Sequence, residues 1–256
     1  MTAEKVRLKS VGWLWSRFRG GRLWHLLKRF PFLRSGYYLA IELGESFKEQ
    51  KTSSLEMTDA DFTKNVDPWG YEADPLERER FALQTAVLDK GRGAHLFESG
   101  LEIGCAEGLY TEVLAERCVS LLVLDLAPTA LDRARNRRRW PEEVRFESFD
   151  LRRDSIPGQF DLIVVAGVLE YFTKRRTFLE VREKLSAALR PNGYLLVETT
   201  RKNSVVEDAM WGKFVIRGKR INSFIARDPR LQSISEVLTD RFVITLLRRV
   251  EPERAE

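Results

Sequence analysis

The chain is poor in the side chains that build metal sites and disulfide frameworks. Cys105, Cys118, His25 and His95 are its only thiols and imidazoles. Their spacing matches no zinc motif, so no metal is expected. Two cysteines cannot form a disulfide framework, which favours a reducing, cytoplasmic compartment. No apolar run approaches the ~20 residues of a membrane span. Acids are nearly missing from one end, where residues 1–40 hold nine bases and Glu4 alone. The remainder carries a small acidic surplus, so the net charge of +5 belongs to the N-terminal arm. It is no sign that the body binds nucleic acid.

What is present divides into three regions. Residues 1–44 form a basic aromatic arm with Trp13, Trp15, Phe18, Trp24, Phe30 and Phe32, broken at Gly20-Gly21 and Pro31. Cations interleaved with Trp, Phe and Leu over residues 5–40 match a helix lying in a membrane interface, and imply peripheral contact at the inner face. A cap over the active site and a cleaved targeting sequence are the other readings. Residues 45–66 are polar and aperiodic, as a linker or mobile loop would be. Residues 67–256 are regular.

Within that region Asp74-Pro75 reads as an N-cap with proline at the first helical position, and Gly91 as the stop. Strands are predicted at 101–103, 121–124, 144–149, 160–165 and 194–198, and helices at 109–117, 128–139 and 175–189. Strands separated by helices indicate βαβ units and a parallel sheet. The end departs from this rhythm: residues 231–238 and 242–247 flank Thr239-Asp240-Arg241 as an antiparallel hairpin.

The chemistry concentrates at strand ends. Leu101-Glu102-Ile103-Gly104-Cys105-Ala106-Glu107-Gly108 leaves the first strand and opens the first helix of the alternation. Gly104 permits the sharp turn, while Ala106 and Gly108 keep side chains small where a ligand would lie against the main chain. A dinucleotide loop would want a Gly-x-Gly-x-x-Gly pattern cradling a pyrophosphate. Glu102 would repel that group but can accept from an amino group. Asp125, ending the second strand, can hold two ribose hydroxyls or cap the following helix. Phe149-Asp150-Leu151 ends the third strand beside Arg152, Arg153 and Asp154, which also suit a solvated turn. Phe160–Val165 runs into Ala166-Gly167-Val168-Leu169-Glu170-Tyr171. Leu189-Arg190-Pro191-Asn192-Gly193 precedes the fifth strand, with Asn192 able to take a left-handed turn.

In this order and spacing, over residues 98–250, the motifs resemble those of class I S-adenosylmethionine-dependent methyltransferases. The resemblance implies a Rossmann-like α/β fold. It would have a seven-stranded, mostly parallel sheet, a C-terminal antiparallel hairpin and helices on both faces. It also implies S-adenosylmethionine as cofactor, with Leu126 against its adenine, and Asp150 with Leu151 at the adenine edge. Asp67-Pro68-Trp69 and Glu72-Ala73-Asp74-Pro75-Leu76-Glu77-Arg78-Glu79-Arg80-Phe81 are similar to the N-terminal motif of the nodulation protein S (NodS) methyltransferases. Those proteins N-methylate the amino-sugar end of a chitooligosaccharide. By position, Trp69 is then expected to pack on the cofactor and Arg80 to pair with its methionine carboxylate, for which a guanidinium fork is suited. Arg80 on a solvated helix face is the other reading. Where the family resembles "EVLYY", this chain has Gly167-Val168-Leu169-Glu170-Tyr171.

The expected reaction is methyl transfer to an amine of a saccharide or other small molecule. Glu170 is the candidate proton acceptor and Tyr171 orients, or Glu170 merely caps the next segment. Transfer to a hydroxyl, a non-catalytic scaffold of the same fold, and a nucleotide-dependent oxidoreductase are the alternatives. Glu102 and the terminal hairpin disfavour the last of these.

Overall fold

The computed structural model describes residues 55–93, 95–172, 175–200 and 218–250, all within one compact unit. The basic arm lies outside them. Seven strands alternate with helices: β1 (Phe97–Ile103), β2 (Cys118–Asp125), β3 (Val144–Ser148), β4 (Phe160–Ala166), β5 (Leu189–Thr200), β6 (Leu231–Leu238) and β7 (Phe242–Arg249). The helices are α1 (Leu55–Lys64), α2 (Pro75–Arg92), α3 (Leu109–Ala115), α4 (Pro128–Asn136), α5 (Arg175–Ala188) and α6 (Gly218–Ala226). A short 3-10 turn, Leu169–Tyr171, follows β4.

The strands form one sheet in the order β3-β2-β1-β4-β5-β7-β6. β1 through β5 pair in parallel, and β7 enters antiparallel between β5 and β6. This is the class I methyltransferase arrangement expected from the sequence. Central strands such as β4 read as apolar runs, here Leu162 to Ala166, because both sheet faces are covered. Alternate residues feed two cores. Ile163, Val165, Leu195 and Val197 pack with Phe178 and Leu185 of α5 and Ile221 of α6. Leu162, Val164 and Leu196 pack with Leu88 of α2, Leu114 of α3 and Leu131 of α4.

Four details differ from the sequence reading. Residues 55–64 are helical where a linker was expected. Phe62 buries against Ala127 and Ala130, and the Thr129 N–H donates to Asp59 Oδ1 at 2.8 Å, so tertiary contacts supply what weak periodicity does not. α2 runs past Gly91 to Arg92 and is capped by Gly93, whose φ of 74° suits glycine alone. At Gly91 a Cβ would collide with Leu246, so that glycine serves packing. β5 begins at Leu189, and Asn192 takes the expected left-handed conformation within it (φ 64°). α6 was not foreseen. It is held by Asn222, whose amide nitrogen donates to Val197 O, Val243 O and Thr245 Oγ1.

The strand order reverses between β1 and β4, and in open α/β sheets ligands bind at that switch point, beyond the carboxyl ends of the strands.

Candidate active site

Two clefts open there. The larger, about 770 Å³, is walled by Phe62, Trp69, Tyr71, Asp125, Leu126 and Phe149–Arg152 on one side, and by Gly167, Val168, Tyr171 and Phe172 on the other. The smaller, about 390 Å³, is walled by Arg80, Phe81, Gln84, Glu102, Cys105, Leu109 and Tyr110. Tyr71, Ile103, Gly104, Ala106 and Ala166 line both, so the clefts meet where β1 and β4 end.

The junction is built by backbone geometry. Gly104 turns off β1 with φ 85°, and a Cβ there would run into Val168 Cγ2. Ala106 also has positive φ, 50°, and its N–H donates to Asp125 Oδ2 at 2.9 Å. Asp125 Oδ1 accepts from the Ala127 N–H at 2.9 Å, so the carboxylate also fixes the backbone just ahead of α4 while facing the cleft. Burial lifts its carboxyl to about 6, against the pull of the backbone N–H groups. Gly108 lies outside both clefts. Its φ is 82°, and a Cβ would sit 3.0 Å from Ala134 Cβ, so it permits close packing of α4. That differs from the ligand-facing position expected for it.

The wall carrying Trp69 and Tyr71 is shaped by Asp67. Its carboxylate accepts from the Tyr71 and Glu72 N–H groups at 2.7 and 2.9 Å, closing a turn that starts at φ 48°. Its own N–H donates to the Glu107 carboxylate at 3.1 Å, and Arg133 pairs with that same acid. The wall is therefore clasped to the loop after β1. Trp69 stacks near Tyr71 with ring centroids 6.0 Å apart and stays 38% exposed.

Asp150 and Leu151 line the large cleft at the end of β3. Arg152 grips the Asp150 carboxylate with Nε and a terminal nitrogen at 2.8 and 2.7 Å. Burial opposes ionisation, but these bonds prevail and hold the carboxyl below its usual range.

The small cleft has one carboxylate and one guanidinium among its described lining residues. Glu102 is 4% exposed and accepts from the Thr111 hydroxyl at 2.6 Å; burial still pushes it up to about 7. Arg80 is 5% exposed, which excludes the solvated-face reading. It pairs with Glu198 at 2.9 Å and Glu77 at 2.7 Å. Arg78 is exposed and bonds only the Glu72 carbonyl among the described contacts.

Tyr171 lines the large cleft but Glu170 does not. Glu170 Oε1 accepts from the Thr200 N–H at 3.2 Å, tying that carboxylate to the end of β5. Tyr71 and Gln84, which line the clefts, and Glu198, which pairs with Arg80, were not foreseen from the sequence. For Glu198 the signal was an acid inside the apolar run Tyr194-Leu195-Leu196-Val197. Among the described residues no cluster of His, Cys, Asp or Glu is arranged to hold a metal, and no helix is long and apolar enough to cross a membrane.

Comparison with known proteins is consistent with this architecture. The family model described as nodulation protein S (NodS) matches residues 53–226. Nodulation protein S of Rhizobium tropici is 37% identical over 135 residues, covering 53% of this chain and 56% of that protein. The Sinorhizobium fredii protein of the same name is 35% identical over 130 residues, covering 51% and 59%. The chain thus spans less than two thirds of the length of these curated relatives. The crystal structure of N-methyltransferase NodS from Bradyrhizobium japonicum WM9 in complex with S-adenosyl-L-homocysteine superposes with a TM-score of 0.64. It shares 28% identity, covering 76% of this chain and 99% of that one.

Proposed function

The chain belongs to the NodS family, and from that premise we propose that it transfers a methyl group from S-adenosylmethionine to an amine of a saccharide or related small molecule. The observation that carries this reading is the pair of clefts meeting at Gly104 and Ala166. A donor of this kind has a nucleoside at one end and a zwitterionic amino acid at the other. The large cleft offers Asp125 to a ribose and Leu126, Asp150 and Leu151 to a purine. The small cleft offers Glu102 to an ammonium and Arg80 to a carboxylate. The donor's chemistry and the residues present agree at both ends.

The donor brings a sulfonium, whose thioether is a leaving group that needs no acid. The protein's part is then to hold the acceptor in line, which can remove roughly 7–11 kcal/mol of barrier. Trp69 is assigned to the donor, and Tyr71, Tyr171 and Phe172 give the rest of the large cleft aromatic surface on which a sugar ring can stack. As the N–C bond forms and the C–S bond breaks, the nitrogen acquires a positive charge and releases a proton to water or to a carboxylate.

The test is a mass-shift assay with S-adenosylmethionine over a panel of amino sugars and their N-acetylated and hydroxyl counterparts. A gain of one methyl on free amines alone is expected. Methylation confined to hydroxyl acceptors would overturn the amine assignment. Saturable binding of a nicotinamide dinucleotide in place of S-adenosylhomocysteine would overturn the donor.

A further inference from the structure

Behind the small cleft lies an imbalance of buried charge that cofactor binding alone does not explain. Glu77 and Glu198 pair with the Arg80 guanidinium at 2.7 and 2.9 Å, and Glu170 feels its charge. Glu198 is fully buried, donated to by Arg80 at 2.9 Å and by Gln84 Nε2 at 3.5 Å. Its other oxygen, Oε1, is buried without a hydrogen-bond partner, as is Glu170 Oε2. Thr200, whose N–H holds Glu170, lies two residues beyond Glu198 on β5, which brings the two acids to one corner. Among the described residues Arg80 is the one cation acting on Glu170 and Glu198, and two buried like charges facing one cation favour keeping a proton between them.

Among the described residues the other neighbours of this corner are few. Tyr71 places its ring 4.9 Å from the Arg80 guanidinium, and Tyr171 follows Glu170 in the 3-10 turn. From β7, Phe242 lies 5.6 Å from that guanidinium. Arg241 acts on Glu77 and pairs with Asp74 at 3.6 Å. None of these supplies a second cation to Glu170 or Glu198.

Resting on the donor assignment above, we propose that Glu198 is a positioning residue for the methyl donor, acting through Arg80. We further propose that the Glu170–Glu198 pair takes up a proton from solvent when the donor's carboxylate engages that arginine. Arg80 is the common member. It is the sole cation lining the small cleft among the described residues and the only one paired with Glu198. A ligand carboxylate arriving on its open side divides the guanidinium's field between two anions. The buried pair loses part of its compensation and its proton affinity rises. In the ligand-free protein burial, with Glu170 adding to it, already lifts Glu198 to about 8 against the pull of Arg80.

Titration calorimetry of the full chain with S-adenosylhomocysteine in buffers of different ionisation enthalpy, near pH 8.5, reads the proton directly. At that pH Glu102, lifted to about 7, is ionised before and after binding and contributes little. Wild type is expected to take up a fraction of a proton, on the order of one half, beyond what Glu198→Gln takes up. Binding that consumes a proton weakens as pH rises, so wild-type affinity falls several-fold above the pair's range, while Glu198→Gln follows a flatter profile. Glu170→Gln removes the other member and is expected to show the same loss, which keeps the comparison open should one variant fold poorly. Saturable binding with identical proton exchange in wild type and variants overturns this inference and leaves the donor assignment standing. Failure of S-adenosylhomocysteine to bind overturns both.

Discussion

The Ala106 N–H donates to Asp125 Oδ2 at 2.9 Å, so one carboxylate joins the loop leaving β1 to the end of β2. The same carboxylate holds the Ala127 N–H just ahead of α4 and lines the large cleft. Asp125→Ala is expected to weaken S-adenosylhomocysteine binding by at least tenfold, since bonds to a charged group contribute about 1.5–3 kcal/mol each. It should also lower Tm, because two backbone donors lose their acceptor. Calorimetric titration and thermal unfolding measure the two effects, and an unchanged affinity would remove Asp125 from the site.

Arg80 and Arg78 separate binding from surface charge. Arg80→Ala deprives buried Glu198 of its cation and is expected to cost on the order of 3 kcal/mol of stability as well as donor affinity. Arg78→Ala should change neither, its side chain being exposed. Denaturant melts and binding isotherms of the two variants make the comparison. Equal losses would show that the wrong arginine has been placed in the cleft.

Gly108 tests whether a glycine in the loop serves the ligand or the fold. Gly108→Ala forces an L residue to φ 82° and brings its Cβ within 3.2 Å of Ala134 Cα. A loss of more than 1 kcal/mol is expected on the usual cost of alanine at positive φ. Donor affinity of the folded fraction should stay near wild type. Affinity falling in step with a preserved Tm would return Gly108 to the cofactor contacts.

Three buried acids give stability an unusual pH dependence. Burial is the largest cause in each case, lifting Asp125 to about 6, Glu102 to about 7 and Glu198 to about 8. Raised carboxyl values mean that the folded state keeps its protons after the unfolded chain has lost them. Stability therefore falls as pH rises from about 4.5 towards 8. Asp228 acts at the other end: its bonds from Arg230 and Ser186 outweigh burial and hold it at about 2, so its contribution is present above about 4 and is lost as pH falls through 2. The expected Tm maximum lies near pH 5, and Glu198→Gln should flatten the decline on its alkaline side. A maximum above pH 7 would contradict the buried, raised acids.

The strands and the loop after β1 were legible because their signals are local. β4 is apolar from Leu162 to Ala166, and the Gly104-to-Gly108 spacing needs only its own residues to be read. The hairpin of β6 and β7 was legible from a three-residue turn between two strand-like stretches. α1 was not, because what holds it is Phe62 meeting Ala127 and Ala130 more than sixty residues away. The partners of Arg80 were hidden for the same reason: Glu198 is 118 residues distant, and only the closed sheet brings β5 beside α2. Glu170 was legible as an acid in the right loop, but which way a 3-10 turn aims its side chain is set by Thr200 on another strand.

The clasp between Asp67 and Glu107 limits how this protein can be recombined with its relatives. The aromatic wall around Trp69 and Tyr71 is not a detachable module. Its turn hangs on a carboxylate from the loop after β1, which is itself gripped by Arg133 on α4. A chimera that imports residues 55–72 from a relative to change acceptor choice inherits a working wall only if positions 107 and 133 travel with it. Conversely, substitutions at Glu107, which lines neither cleft, should alter acceptor choice by letting the wall drift. Specificity at the wall would then depend on positions that do not line it.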